Sequence, residues 1–197
     1  MDSNLKDSTL RYLGTAVIFT IGSMIVLGFV YPLGMTGISM LVFRRQANGS
    51  MVSVNGKPIG SEIIGQLWTK PQYFHGRPSA AGKNGYDPTS TGATNDGPTS
   101  KRLIDSTKAT IEALKKENPD ATIPVPMDLV TSSGSGIDPD ISPQGALYQA
   151  PRVAKARKLP LDKVLDLIAR HTTGRQFAFL GEPRVNVLDL NRALDGI

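Results

Sequence analysis

Residues 131–139 read Thr-Ser-Ser-Gly-Ser-Gly-Ile-Asp-Pro, four hydroxyl side chains and two glycines placed just ahead of a helix start at Ser142-Pro143. Backbone N–H groups in a run of this kind, with a helix N-terminus behind them, can cradle a phosphate or carboxylate. Ser132, Ser133, Gly134, Ser135 and Gly136 are therefore candidate anion contacts. The same residue types more often make a plain turn, and Asp138 and Asp140 would repel an anion. Arg77, Arg152, Arg175 and Arg184 are candidate anion partners, with structural ion pairing the commoner role for each.

Other chemistries lack their residues. A serine hydrolase of the Gly-x-Ser-x-Gly type needs glycine where Ser133 stands before Ser135, and no histidine is near in sequence. No Gly-x-x-x-x-Gly-Lys-Ser/Thr run is present, which excludes a standard phosphate-binding loop. Metal binding is disfavoured by the absence of cysteine and by two distant histidines, His75 and His171, which read as structural. Without cysteine the redox compartment stays open.

The elements that must position the loop begin with a membrane helix. Residues 12–43 hold no Asp, Glu, Lys, Arg or His, with Arg11 before them and Arg44 and Arg45 after. A bilayer core needs about 20 apolar residues in a helix, and the stretch exceeds that. A cleaved signal peptide or a buried core helix would show a shorter run. Pro32 leaves two courses for residues 33–43: continuation past a kink, or a path along the interface. Lys6 and Arg11 nearly balance Arg44 and Arg45, so charge does not set the orientation. Gly14, Gly22, Ser23 and Gly28 interrupt the bulky side chains. Small residues let helices approach closely in lipid, which makes Gly22 and Ser23 a candidate partner interface.

The chain thus divides into a tail (1–11), a transmembrane helix with a membrane-proximal extension (12–43) and a single soluble domain (44–197). Beyond Arg45 eighteen basic residues face fifteen acidic ones, a surplus of +3 that is dispersed except at Lys101/Arg102, Lys115/Lys116 and residues 152–158. With few aromatics and no recognition module, nucleic acid is not an expected partner. Alternation around Asn55-Gly56 predicts a hairpin over 51–59. Residues 69–100 are rich in Gly, Pro, Ser, Thr and Asn, yet Trp68, Tyr73, Phe74 and Tyr86 give them something to pack with, so an ordered excursion is expected. Thr99 or Ser100 caps a helix to about residue 118, with Leu103, Ile104, Thr107, Ile111 and Leu114 on its inner face. Ser142-Pro143 opens a helix to about 159, and Asp162 caps a third that Thr172-Thr173-Gly174 ends. Strands are expected at 176–180 and 184–188, and a short helix at 189–194. The class is α+β.

Longer motifs occur in order along the chain. They are Gln46-Ala47-Asn48-Gly49-Ser50, Gly60-Ser61, Ile64-Gly65-Gln66, residues 73–81 (YFHGRPSAA), Gly97-Pro98-Thr99, residues 126–143, Tyr148-Gln149 with Arg152-Val153-Ala154, His171-Thr172, and residues 179–191 (FLGEPRVNVLDLN). Together these resemble the C subunit of the Kdp high-affinity potassium-transporting P-type ATPase of prokaryotes, over nearly the whole chain. The pattern departs at Thr91-Gly92-Ala93-Thr94-Asn95-Asp96 and at Asp140.

The resemblance implies an assembly of a channel-like potassium-binding subunit, an ATP-hydrolysing pump subunit, a small single-span subunit and this chain in a prokaryotic inner membrane. In it this chain is not an enzyme and holds no cofactor tightly. It acts as a catalytic chaperone that raises the ATP affinity of the pump subunit, with ATP shared between the two. Gln149 and the Ser-Gly-Ser-Gly segment, with Arg152, become candidate nucleotide contacts. The family architecture also implies a domain outside the cytoplasm, where it could not touch cytoplasmic ATP; the outer placement is preferred. The alternative is a free-standing, membrane-tethered binding domain for a nucleotide or other anion.

Overall fold

A computed structural model describes residues 3–196 and separates into two compact units, Met1–Ser50 and Met51–Ile197. The first is helical. Helix α1 (Ser3–Ile25) passes through a π-helical segment (Val26–Val30) into α2 (Tyr31–Val42), and a short α3 (Arg44–Ala47) follows. Pro32 does not end the helix. Its ring crowds the carbonyl one turn earlier and it has no N–H to give, and the backbone absorbs both by widening just before it: the Tyr31 N–H donates to Val26 O, five residues back. Residues 33–42 therefore continue the helix. Thr15 and Thr36 donate their hydroxyls to Arg11 O (3.0 Å) and Pro32 O (2.8 Å), which keeps them paired inside an apolar segment.

The helical run Ser8–Val42 is long and apolar enough to cross a membrane, and none of its apolar window is buried within the chain.

The second unit is mixed. Strands β1 (Met51–Val54) and β2 (Lys57–Ser61) pair antiparallel across Asn55 (φ 51°) and Gly56 (φ 75°), the two left-handed residues that a two-residue hairpin turn requires. Three short strands form a second antiparallel sheet with β5 (Arg184–Asn186) between β3 (Asp140–Ile141) and β4 (Thr172–Thr173). Helices α4 (Lys101–Glu117), α5 (Pro143–Arg157), α6 (Leu161–Arg170) and α7 (Val187–Asp195) complete the α+β domain. Its core joins Phe74, Leu129, Ile141, Ala146, Val153, Val164, Ile168, Val185, Leu190 and Leu194.

Local chemistry explains most boundaries. Ser100, Ser142 and Asn186 cap α4, α5 and α7 by accepting from Leu103 N, Gly145 N and Asp189 N. Lys158 in the left-handed conformation (φ 57°) closes α5. Three details differ from the sequence expectation. Asp162 is not a cap, since α6 begins after Pro160 without a side-chain cap and Asp162 sits in its first turn. The helix does end before Thr172, as expected, and Thr172 and Thr173 pair with β5. The last helix starts at Val187, earlier than 189, because Asn186 supplies the cap. Residues 176–180 are no strand: the chain folds back on itself there, with Phe177 (φ 51°) and Ala178 (φ 69°) in left-handed conformations. Helix α4 has no fully buried residue: Leu103, Thr107, Ile111 and Leu114 are half-buried and Ile104 is exposed.

Candidate functional site

The Ser-Gly loop is a clasp. Within it, Ser133 Oγ accepts from Gly136 N (2.9 Å) and Ser135 Oγ from Ile137 N (3.3 Å). Outward, its carbonyls take hydrogen bonds from three distant segments. Gly92 N donates to Ser135 O (2.9 Å), Gly65 N to Ile137 O (2.7 Å), and the Ser79 hydroxyl to Gly136 O. Ser79 Oγ also accepts from Tyr86 N (2.7 Å) and Ala81 N (3.2 Å), so one serine gathers the turn around Gly82. Gly136 has φ +72°, and a Cβ there would stand 2.6 Å from Gly92 O and 2.8 Å from Ala81 N. Ser133 and Gly136 are buried, Ser132 is half-buried, and Gly134 and Ser135 form the exposed tip.

Charge around the loop is matched. Arg77 pairs with Asp138 (2.9 Å) and Arg184 with Asp140 (3.0 Å). Burial raises the Asp140 carboxyl above its usual range, opposed by Arg184 and reinforced by Asp138. The Tyr86 hydroxyl donates to Arg77 O (2.6 Å), and burial, with Asp138 adding, pushes its pKa up to about 12. Both arginines near the loop are thus committed to carboxylates.

Gln149 and Arg152 come together on α5, one turn apart, with Arg152 Nη2 donating to Gln149 Oε1 (2.8 Å). The Gln149 amide reads the backbone of His75 from both sides, accepting from its N–H (2.8 Å) and donating to its carbonyl (3.1 Å). Its remaining donor reaches Gly145 O (3.2 Å). The Arg152 guanidinium donates to Pro71 O (2.6 Å), Tyr73 O (3.0 Å) and Asn118 Oδ1 (2.9 Å) and lies 3.5 Å from Glu117. Burial lowers its pKa and Glu117 offsets this. A planar fork with five donors suits a site that presents several fixed carbonyls.

These two groups grip the two ends of one strap. Gln149 and Arg152 hold residues 71–75, and the Ser-Gly loop with Asp138 holds residues 77–81. Asn191 adds a third grip that sequence reading missed. Fully buried on α7, it accepts from Phe74 N (2.8 Å) and donates to Phe74 O (3.0 Å). Its signal was a polar residue on the face that Val187, Leu190 and Leu194 turn inward.

His75 lies 2.9 Å from Glu117 through Nδ1 and 3.0 Å from Lys70 O through Nε2. The Glu117 carboxyl is held below its usual range, chiefly by the hydrogen bond from His75, against the opposing effect of burial. A carboxyl depressed in the folded state stabilises above its unfolded pKa, and that contribution is lost as pH falls through the folded value. Acidification below about pH 4 should therefore lower the unfolding midpoint, and Glu117→Gln should flatten that acid limb in a denaturant series. A cleft of about 770 Å³ elsewhere on the domain is lined by Val54, Ile59, Trp68, Tyr73 and His171 among others, and none of the predicted contact residues borders it. Gly22 and Ser23 lie in α1, within the run that is long and apolar enough to cross a membrane.

Similarity to known proteins covers the same ground. The family model for KdpC, the c chain of the K+-transporting ATPase, matches residues 13–196. The chain is 55% identical over 186 residues to the potassium-transporting ATPase KdpC subunit of Acidobacterium capsulatum, covering 94% of this chain and 98% of that protein. To the KdpC subunit of Koribacter versatilis it is 50% identical over 182 residues, 92% of this chain and 93% of the relative. To that of Methylococcus capsulatus it is 51% identical over 173 residues, 88% and 91%. With its long apolar helix, its α+β domain and a match running almost end to end, the chain belongs to the KdpC family of K+-transporting ATPase subunits.

Proposed function

We propose that the chain is a non-catalytic subunit of the potassium pump that supports its assembly and raises the ATP affinity of the hydrolysing subunit, through contact between subunits. The observation that carries the reading is the commitment of Gln149 and Arg152. Their side chains are spent on residues 71–75 and on each other, which fits a rigid docking body better than a nucleotide grip. The other partners are a channel-like potassium-binding subunit and a small single-span subunit, in a prokaryotic inner membrane.

Gly22 and Ser23 supply the contact within the membrane. Gly22→Leu with Ser23→Leu should release the chain from the complex, read as at least a several-fold drop in its yield when the pump is purified through another subunit. Undiminished yield would remove this pair from the interface. The domain lies outside the cytoplasm in this reading. Lys101→Cys, at an exposed position on α4, should then react with an impermeant thiol reagent on intact spheroplasts; labelling only after lysis would reverse the orientation.

A second reading, direct nucleotide contact at the Ser-Gly loop, is favoured by one feature, the exposure of Gly134 and Ser135 at its tip. Photoaffinity labelling of the intact pump with an azido-ATP separates the two. Label on residues 132–136 supports direct contact, and label confined to the hydrolysing subunit supports action through the interface.

A further inference from the structure

The hairpin formed by β4 and β5 continues beyond its ladder as an arm. Past the Thr173–Arg184 pair, Arg175 Nη2 reaches both carboxylate oxygens of Glu182 (2.8 and 2.7 Å). Farther out, Gln176 and Leu180 exchange backbone hydrogen bonds in both directions, each 2.9 Å. Every residue from 173 to 182 is exposed, so the arm stands off the domain.

Its end is apolar. Phe177 is 82% exposed, Phe179 70% and Leu180 47%. Phe177 and Ala178 are both left-handed, a conformation that residues with a Cβ adopt at a cost, and the stapled stem holds them there. Two phenylalanines held in a fixed turn and covered by nothing in their own domain have the form of an interface anchor. Aromatic residues dominate binding energy where they enter a pocket, and a pre-set backbone spares the ordering cost of binding.

Charge selects the occupant. Segments that enter the lipid surface combine apolar side chains with a basic surplus that draws them to anionic headgroups. This arm has none: its two charges, Arg175 and Glu182, neutralise each other, and Arg184 at its base is paired with Asp140. Fixed backbone geometry likewise matters for a shaped protein pocket and little for fluid lipid. We infer that the Phe177-Ala178-Phe179-Leu180 tip docks the domain into an uncharged apolar pocket on another chain of the same pump. The inference rests on the subunit reading given above and adds the place where the domain is held.

The test uses the full chain in the assembled pump, with p-benzoylphenylalanine in place of Phe177. Irradiation should give a covalent adduct with a different pump chain, identified by mass spectrometry of the purified complex. Phe177→Ser with Phe179→Ser should lower retention of the chain in the complex at least tenfold, while circular dichroism and melting temperature stay unchanged because both side chains are exposed. An adduct only with lipid, an adduct only with a second copy of this chain, or no adduct would overturn the proposal. The unmodified chain is purified in parallel. If it copurifies with the pump and position 177 links elsewhere, the tip assignment alone fails; if it does not copurify, the subunit reading fails with it.

Discussion

Arg152→Ala is expected to destabilise the soluble domain by about 3 kcal/mol or more, the scale for removing one member of a buried, hydrogen-bonded charged group. The guanidinium is nearly covered and satisfies Pro71 O, Tyr73 O, Asn118 Oδ1 and Gln149 Oε1 at once. Alanine leaves the Pro71 and Tyr73 carbonyls and Asn118 Oδ1 without their donor, while Gln149 Oε1 keeps only the His75 N–H, and water has little access to replace the guanidinium. Arg152→Lys keeps the charge but should recover only part of the loss, since one ammonium cannot span four acceptors set for a planar fork. Chemical denaturation of the full chain in detergent, followed by Trp68 fluorescence, would report both. A loss under about 1 kcal/mol for alanine, with ATP affinity of the pump nonetheless reduced, would move Arg152 from a structural to a ligand role.

Gly136→Ala should be nearly as damaging, at about 2–4 kcal/mol. A Cβ in the left-handed region costs about 1–2 kcal/mol. The added methyl would also press on Gly92 O and Ala81 N, backbone atoms that cannot rotate aside, and overpacking of this kind costs about 1–3 kcal/mol. Gly134→Ala is the matched control. Nothing lies within 4 Å of its Cβ position and its φ is not in the left-handed range, so a change within about 0.5 kcal/mol is expected. Comparable losses at both glycines would mean that the loop is not the clasp described.

The regular elements were open to sequence reading because each carries a local signal. Asn55-Gly56 writes its turn, Ser100 and Ser142 write their caps, and the uncharged run 12–43 writes its helix. The α+β class followed from these. The span beyond Pro32 did not, because its course depends on a shift to π-helical hydrogen bonding that no side chain announces. The fold-back at 176–180 was misread for a related reason. Gln-Phe-Ala-Phe-Leu has the alternation of a strand, and the staple that bends it joins Arg175 to Glu182 across the turn. Around the candidate site, residue types were legible and partners were not. Ser133, Gly136, Gln149 and Arg152 were selected as groups that could meet an anion. In the fold Gln149 and Arg152 meet backbone atoms 74 to 81 positions away in sequence, Gly136 takes the Ser79 hydroxyl 57 positions back, and Ser133 closes on Gly136 within its own loop, and the distant pairings are ones that only tertiary structure supplies. Asn191 escaped notice because an asparagine on an inward helix face looks like an interruption of the core when its partner, the Phe74 peptide, is unknown.

The central claim is that this chain hydrolyses nothing itself and acts on the ATP affinity of its partner. It is tested most directly by steady-state ATP titration of the purified hydrolysing subunit, with and without the full chain in the same detergent. The account predicts no hydrolysis by the chain alone, and a lower ATP concentration for half-maximal hydrolysis when it is added. An unchanged half-saturation in a mixture shown by gel filtration to contain both proteins, or hydrolysis by the chain alone, would contradict it.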